Sequence, residues 1–120
     1  MIVVNARARA STESILVLKN VINTLEIETK KEKGCIDYAF SVDINNPNML
    51  RISELWEDLK SLQDHLETKH VEDFRAAMAQ NPIDVEAHFY EAKEISYPET
   101  NKNACGAEKL PAALKSPMWC

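Results

Sequence analysis

The fold is decided by residues 35–56, which read CIDYAFSVDINNPNMLRISELW. Apolar side chains fall on alternate positions in residues 36–43, and a period of two is typical of a strand with one buried face. Residues 45–48, NNPN, predict a loop, because Asn tolerates unusual backbone dihedrals and Pro fixes its own. The alternation resumes in residues 50–56, so the two segments predict a β-hairpin.

The segments on either side of this hairpin also have clear patterns. Residues 2–8 are rich in β-branched residues and predict a first strand. A helix with apolar residues at helical spacing then begins at Ser11 or Thr12, either of which can cap it, and Gly34 is placed to end it. After the hairpin, Asp58 and Thr68 can cap two short helices.

The last predicted strand covers residues 83–90, where apolar and polar residues alternate after Asn81-Pro82 stops the preceding helix. The order of elements is therefore β-α-β-β-α(α)-β. With right-handed crossovers this order predicts an α+β, ferredoxin-like βαββαβ fold, a four-stranded antiparallel sheet with helices on one face. We expect this domain to span residues 1–95, followed by an extended tail over residues 96–120 with at most a turn of helix at 110–114.

We predict a homodimer, because a sheet covered on one side only would expose apolar residues on its other face. The formal net charge is −5, and residues 53–95 carry 11 acidic against 4 basic groups. This acidity argues against nucleic-acid binding, which requires a basic patch. No apolar run approaches the ~20 residues that span a bilayer, so no membrane segment is expected. Three cysteines without C-x-x-C spacing fit a reducing cytoplasm.

Two histidines and one carboxylate are candidates for chemistry. Histidine is the side-chain type suited to proton transfer near neutral pH, so His65 and His70 are the candidates, although His70 can instead simply fix the start of a helix after Thr68. Glu54 lies on the same strand face as Trp56, so it must be paired or have a raised pKa. It can bond to a helix end or a histidine, or act as a general base. No third ligand stands at suitable spacing, so we predict no metal site.

Further candidates belong to a substrate pocket. Trp56 either forms an aromatic wall or plugs the core. Tyr38 shares a face with other apolar residues, so core packing is its default role, whereas Phe74, one turn after His70, can close the apolar side. Asn5 interrupts the apolar run of the first strand, where an unsatisfied amide is costly. We therefore predict a pocket between the sheet and the two short helices, near Asn5, Tyr38, Glu54, Trp56, His65, His70 and Phe74.

Three sequence blocks together resemble a known family. They are residues 33–38 (KGCIDY), residues 43–47 (DINNP), and residues 54–57 (ELWE) followed by residues 65–74 (HLETKHVEDF). In this order and spacing they resemble the antibiotic biosynthesis monooxygenase (ABM) family, including the bacterial quinol monooxygenases, over residues 1–95. The resemblance implies a dimeric α+β barrel. It also implies oxidation of a small electron-rich aromatic, a hydroquinone or polyketide-like phenol, by O2 without flavin, haem or metal.

Two alternatives to this function stay open. The first is a non-catalytic dimeric protein that binds a small ligand or is associated with stress, because a pocket need not turn over its ligand. The second is haem binding or degradation, since haem-degrading relatives resemble this chain near Asn5. Those relatives carry a Trp where this sequence has His65, and a haem-ligating His where it has Met78. Both departures argue against haem.

Overall fold

Four strands and three helices make up the part of the chain that the computed structural model describes, residues 1–81 and 83–100. They are β1 (Ile2–Arg9), α1 (Thr12–Lys30), β2 (Cys35–Asp43), β3 (Asn46–Trp56), α2 (Leu59–Leu66), α3 (Lys69–Gln80) and β4 (Asp84–Glu91). This order confirms the predicted α+β class. The turn of helix predicted at 110–114 lies outside the described residues.

The strands form one antiparallel sheet in the order β2-β3-β1-β4, as a ferredoxin-like fold requires. β1 pairs with both β3 and β4, so Val4 lies between Glu54 and Phe89. Tyr38 of β2 in turn lies beside Glu54. Because directly opposed side chains in a sheet point to the same face, these four residues share the face that the helices cover.

The core lies between that face and the helices. Ser11 caps α1 by accepting a hydrogen bond from the Ser14 backbone N–H (3.1 Å), and the stripe predicted on this helix is buried at Leu18, Ile22 and Leu25. Trp56, the last residue of β3, is fully buried. An amphipathic helix is held in place mainly by burying such a stripe, so α1 fixes one wall of the space beneath α2 and α3.

The β2–β3 turn is tighter than the sequence predicts. Only Ile44 and Asn45 lie between the strands, and β3 already begins at Asn46. Asp43 Oδ1 accepts a hydrogen bond from the Asn45 backbone N–H (2.8 Å) and so closes the turn locally. The predicted four-residue loop over 45–48 is therefore wrong at its end, because Asn side chains bond to nearby backbone here without interrupting the strand.

A bulge near the start of β2 changes which residue faces the core. The pairing with β3 shifts between Cys35 and Asp37, so Ile36 has no direct partner. Ile36 is 51% exposed, contrary to the predicted alternation, and Cys35 packs against the core instead. One extra residue in a strand moves the side chains on one side of the bulge to the other face of the sheet.

The sheet face opposite the helices carries ion pairs on one part and apolar side chains on another, where Val3 lies between Leu55 and Tyr90. Arg7 pairs with Glu86 (3.1 Å) across β1 and β4, and Arg51 of β3 pairs with Asp43 (2.9 Å). Most apolar residues of the strands are turned to the helices, but the patch around Val3 is not, so a homodimer through this sheet face stays a prediction.

β4 forms an exposed edge of the sheet. Helix contacts concentrate on β2 and β3, and all eight residues of β4 are exposed. Val85 and Phe89 point to the helix side but remain 44% and 56% exposed, so the predicted last strand is confirmed while its alternating apolar residues stay exposed. None of the helices in residues 1–81 and 83–100 is long and apolar enough to cross a membrane.

Candidate active site

Three side chains from separate segments meet around one carboxylate oxygen. Glu32 lies in the turn between α1 and β2, His65 in the last turn of α2, and His70 in the first turn of α3. Glu32 Oε2 is 2.7 Å from His65 Nδ1 and 2.8 Å from His70 Nε2. We call these three residues the Glu32 cluster. The His65 side chain is only 3% exposed, against 15% for Glu32 and 17% for His70, so the cluster runs from the interior towards the surface.

The break between α2 and α3 places the two histidines. Thr68 is the N-cap of α3, where its hydroxyl oxygen accepts a hydrogen bond from the Val71 backbone N–H (3.4 Å). The same hydroxyl donates a hydrogen bond to the His65 carbonyl oxygen (2.8 Å). Thr68 therefore ties the end of one helix to the start of the next, and both caps predicted at Asp58 and Thr68 are confirmed.

Gly34 brings Glu32 close to α2. It does not end α1, which stops at Lys30, but it reverses the chain at a φ of 85°, where glycine is favoured. A Cβ at this position would collide with the Ser61 side chain of α2. The Gly34 carbonyl also accepts a hydrogen bond from the Glu57 backbone N–H (2.8 Å). Close approach and reversal together require glycine here.

The hydrogen bonds of the Glu32 cluster set the form of His65. An ionised carboxylate only accepts hydrogen bonds, so both histidines donate to it. His65 then carries its proton on Nδ1 and a lone pair on Nε2. Burial lowers the pKa of His65, although its hydrogen bond to Glu32 opposes the effect. A neutral imidazole with a free lone pair is the form that a general base needs at neutral pH.

Aromatic side chains surround His65. The Trp56 ring centroid is 4.7 Å and the Tyr38 ring centroid 5.3 Å from that of His65. Trp56 Nε1 donates a hydrogen bond to Glu54 Oε1 (3.0 Å). The partner of Glu54 is therefore the indole, whereas the sequence had suggested a helix end or a histidine. Burial raises the pKa of Glu54, and burial followed by the charge of Glu54 raises the pKa of Tyr38.

A cavity of about 160 Å³ lies between the helix-covered face of the sheet and α2 and α3. An apolar cavity of ~150 Å³ can hold a benzene-sized ring. The walls are mostly aliphatic and aromatic, and their polar or charged members are Tyr38, Glu54, His65 and Arg75. The β4 side of the cavity is formed by Val85, Ala87 and Phe89, where the strand is exposed.

The predicted site residues fall into three groups. Tyr38, Glu54, His65 and Phe74 line the cavity. The rings of Trp56 and His70 contact the ring of His65, but neither residue is part of the cavity wall. Asn5 is exposed and lies next to Ser53 and His88 in the register, on the sheet face opposite the helices. The structure therefore does not bring Asn5 to the predicted pocket.

Glu32 is the residue that sequence reasoning missed. It lies among Lys30, Lys31 and Lys33, and such a run is usually a solvated helix end. The available signal was its position two residues before Gly34, at a turn that must return the chain towards the core. Nothing in the local sequence indicated that it would meet two histidines 33 and 38 residues further along the chain.

The Glu32 cluster is also the group of described residues that could hold a metal ion, since its ligand atoms lie within 4.8 Å of one another. The two N···O separations of 2.7 and 2.8 Å are those of hydrogen bonds. Ligand atoms around one tetrahedral Zn²⁺ lie about 3.4 Å apart. The arrangement therefore fits donated protons better than a shared cation, and the absence of a metal stays a prediction.

Comparisons with known proteins agree with this fold. The sequence model of the antibiotic biosynthesis monooxygenase family matches residues 1–77. A candidate antibiotic biosynthesis monooxygenase from Deinococcus radiodurans is similar in structure, with 26% sequence identity and a TM-score of 0.76 over 83% of this chain and 100% of that chain. A conserved protein from Methanosarcina mazei is similar with 30% identity and a TM-score of 0.71, over 77% of this chain and 92% of that one.

No curated protein matches the chain. The family model nevertheless covers more than half of the sequence, including β1 to β3, both short-helix caps and all three residues of the Glu32 cluster. The chain belongs to the antibiotic biosynthesis monooxygenase family.

Proposed function

We propose that this protein is a monooxygenase that oxidises a small electron-rich aromatic, such as a hydroquinone or polyketide-like phenol, with O2 and without metal, flavin or haem. The observation that supports it is a buried His65 in the wall of an aromatic-lined cavity, with its Nδ1 2.7 Å from Glu32 Oε2 and its pKa lowered by burial. A phenolate can itself pass an electron to O2. The protein then has to bind the substrate, orient it and remove its proton.

The cavity suits a substrate with one aromatic ring. Its volume of about 160 Å³ is smaller than the ~300–1,000 Å³ that holds drug-sized ligands, and it is too small for a porphyrin. Tyr38 and Phe74 supply ring contacts at the wall. His65 Nε2 is the basic atom that a bound phenol would reach, because Nδ1 is occupied by Glu32.

For a hydroquinone the proposed reaction needs no external reductant. His65 takes a phenolic proton, the electron-rich ring reduces O2, and a C–O bond replaces a ring C–H bond. One oxygen atom enters the ring and the other leaves as water, while the hydroquinone loses four electrons and becomes a hydroxyquinone. Atoms balance for one hydroquinone and one O2 giving one hydroxyquinone and one water.

Glu32 and His70 act in this scheme as positioning residues. Glu32 holds the ring of His65 in one tautomer and stabilises the imidazolium that forms when His65 accepts a proton. His70 shares the same Glu32 oxygen, so it orients the carboxylate from the outer side. Neither residue lines the cavity.

We also propose that the protein is a homodimer, with β4 in its main interface. Val85, Phe89 and Tyr90 are large apolar residues of this one strand, and each is at least 44% exposed. An exposed edge strand with apolar side chains on both faces is a strong candidate for an interface in a small protein. A second copy placed there would also cover the β4 side of the cavity.

Oxygen uptake tests the proposed function. Protein freed of metals by chelation and of flavin by dialysis is mixed with hydroquinones under ¹⁸O2, and buffer alone measures autoxidation. We expect one O2 consumed per hydroquinone and one ¹⁸O atom in the product. Uptake that returns only when a metal or flavin is restored would overturn the cofactor-free scheme. Tight binding without uptake above autoxidation would identify a ligand-binding protein instead.

A further inference from the structure

Arg75 is a cation at the wall of the apolar cavity, and it has no role in the scheme above. It lies on α3, contributes to the cavity wall beside Leu66 and Met78, and is exposed to solvent. Its Nη1 donates a hydrogen bond to the Leu66 carbonyl oxygen (3.1 Å) at the end of α2. This bond fixes the guanidinium at the rim while using one of its five N–H donors.

Arg75 differs from its charged neighbours on the same helices. Lys69 pairs with Asp73 (2.8 Å) and Lys60 with Asp64 (3.1 Å). Within residues 1–81 and 83–100, no carboxylate forms a salt bridge with Arg75. Its charge also contributes to lowering the pKa of His65, where burial has the largest effect and the charge of His70 a larger one than that of Arg75.

We infer that Arg75 recognises a carboxylate on the aromatic substrate, so that the preferred substrates are single-ring phenols carrying a carboxylate. A guanidinium presents parallel N–H donors that match both oxygens of a carboxylate. The ring would occupy the apolar cavity with its hydroxyl towards His65, and the carboxylate would remain at the solvent-exposed rim. This inference rests on the proposed function for the identity of the ring, while the recognition of charge can be measured separately.

Three probes separate charge from shape: 2,5-dihydroxybenzoate, its methyl ester, and hydroquinone. Calorimetry measures their dissociation constants for the full-length protein, and oxygen uptake measures their turnover. We expect the acid to bind about tenfold more tightly than the ester, the effect of one charge-assisted hydrogen bond. The preference should shrink at high salt, because the rim is open to solvent.

Arg75→Gln is the test variant and Lys69→Gln is its control. Both remove one positive charge from α3, but Lys69 does not line the cavity. Arg75→Gln should abolish the preference for the acid over the ester and leave ester binding unchanged, whereas Lys69→Gln should keep the preference. If Arg75 only stabilises the end of α2, the variant will weaken acid and ester equally, and the inference is wrong.

The other outcomes separate this inference from the proposed function. Equal binding of acid and ester by the wild-type protein overturns the inference, and so does a folded protein that binds none of the probes. Oxidation of all three probes at equal efficiency would support the proposed monooxygenase activity and contradict the inferred role of Arg75. Preferential binding of the acid without oxygen uptake would support the inferred role of Arg75 and contradict the proposed monooxygenase activity.

Discussion

Glu32 accepts hydrogen bonds from two histidines, so replacing its charge tests the cluster directly. Burial lowers the pKa of His65 and Glu32 opposes that effect. In Glu32→Gln the pKa of His65 should therefore fall further. Because a general base must be unprotonated, the acid limb of the plot of kcat/KM against pH should move to lower pH. We also expect a loss of up to about 10²-fold in kcat/KM at neutral pH, since the imidazolium loses its carboxylate.

The control for this variant is Glu67→Gln. Glu67 is an exposed carboxylate at the end of α2, between the two histidines in sequence. Glu67→Gln should leave both the acid limb of the pH profile and kcat/KM at neutral pH unchanged. If Glu32→Gln leaves the acid limb where it is in the wild-type protein, His65 is not the base that the limb reports.

At the scale of single residues, the sequence indicated chemistry but not partners. The residue types of His65, Glu54 and Trp56 marked them as candidates, and the structure places all three around one buried centre. Glu32 was missed because a surface-type lysine run surrounds it. The sequence-based prediction placed Asn5 on the wrong face of the sheet. β1 begins with consecutive apolar residues and only then alternates, so its pattern does not show which of the two sets of alternate residues faces the helices.

Among the local elements, the turn at Gly34 offers the sharpest test. Gly34→Ala introduces a Cβ at a φ of 85° and against the Ser61 side chain. We expect it to lower the free energy of unfolding by about 1–3 kcal/mol, the usual cost of backbone strain, as measured by urea denaturation.

A second substitution separates the two causes of that loss. Ser61→Gly removes the side chain that the new Cβ would meet. The double variant should therefore lose less free energy of unfolding than the sum of the losses in the two single variants. The cost of the positive φ should persist in it. Additive losses would mean that the turn does not approach α2 as closely as the structure shows.

Elements with local signals were predictable, and those that depend on distant packing were not. The caps at Ser11, Asp58 and Thr68 follow from short side-chain bonds to nearby backbone N–H groups. The bulge after Cys35 and the exposure of β4 depend on how strands register and how far the helices reach. Neither is encoded in the period of a single segment.

At the scale of the whole molecule, we predict a dimer joined through β4. Light scattering at micromolar concentration should give about twice the chain mass of 13.6 kDa. Tyr90→Lys, which places a charge on exposed apolar surface of β4, should shift the protein to a monomer. Ile44→Lys is the control, because Ile44 is 96% exposed in the hairpin turn and far from β4 in the sheet. A wild-type mass near one chain would contradict the prediction.

The central claim is that His65 is the base of an oxidation carried out in the cavity, and one comparison tests it most directly. His65→Gln removes the imidazole from the cavity wall, and His88→Gln removes an exposed histidine from the opposite sheet face. Circular dichroism first establishes that both variants are folded, and hydroquinone oxidation is then measured as kcat/KM. We predict a loss of about 10²–10⁴-fold for His65→Gln and an unchanged rate for His88→Gln. Full activity in a folded His65→Gln protein would contradict the account.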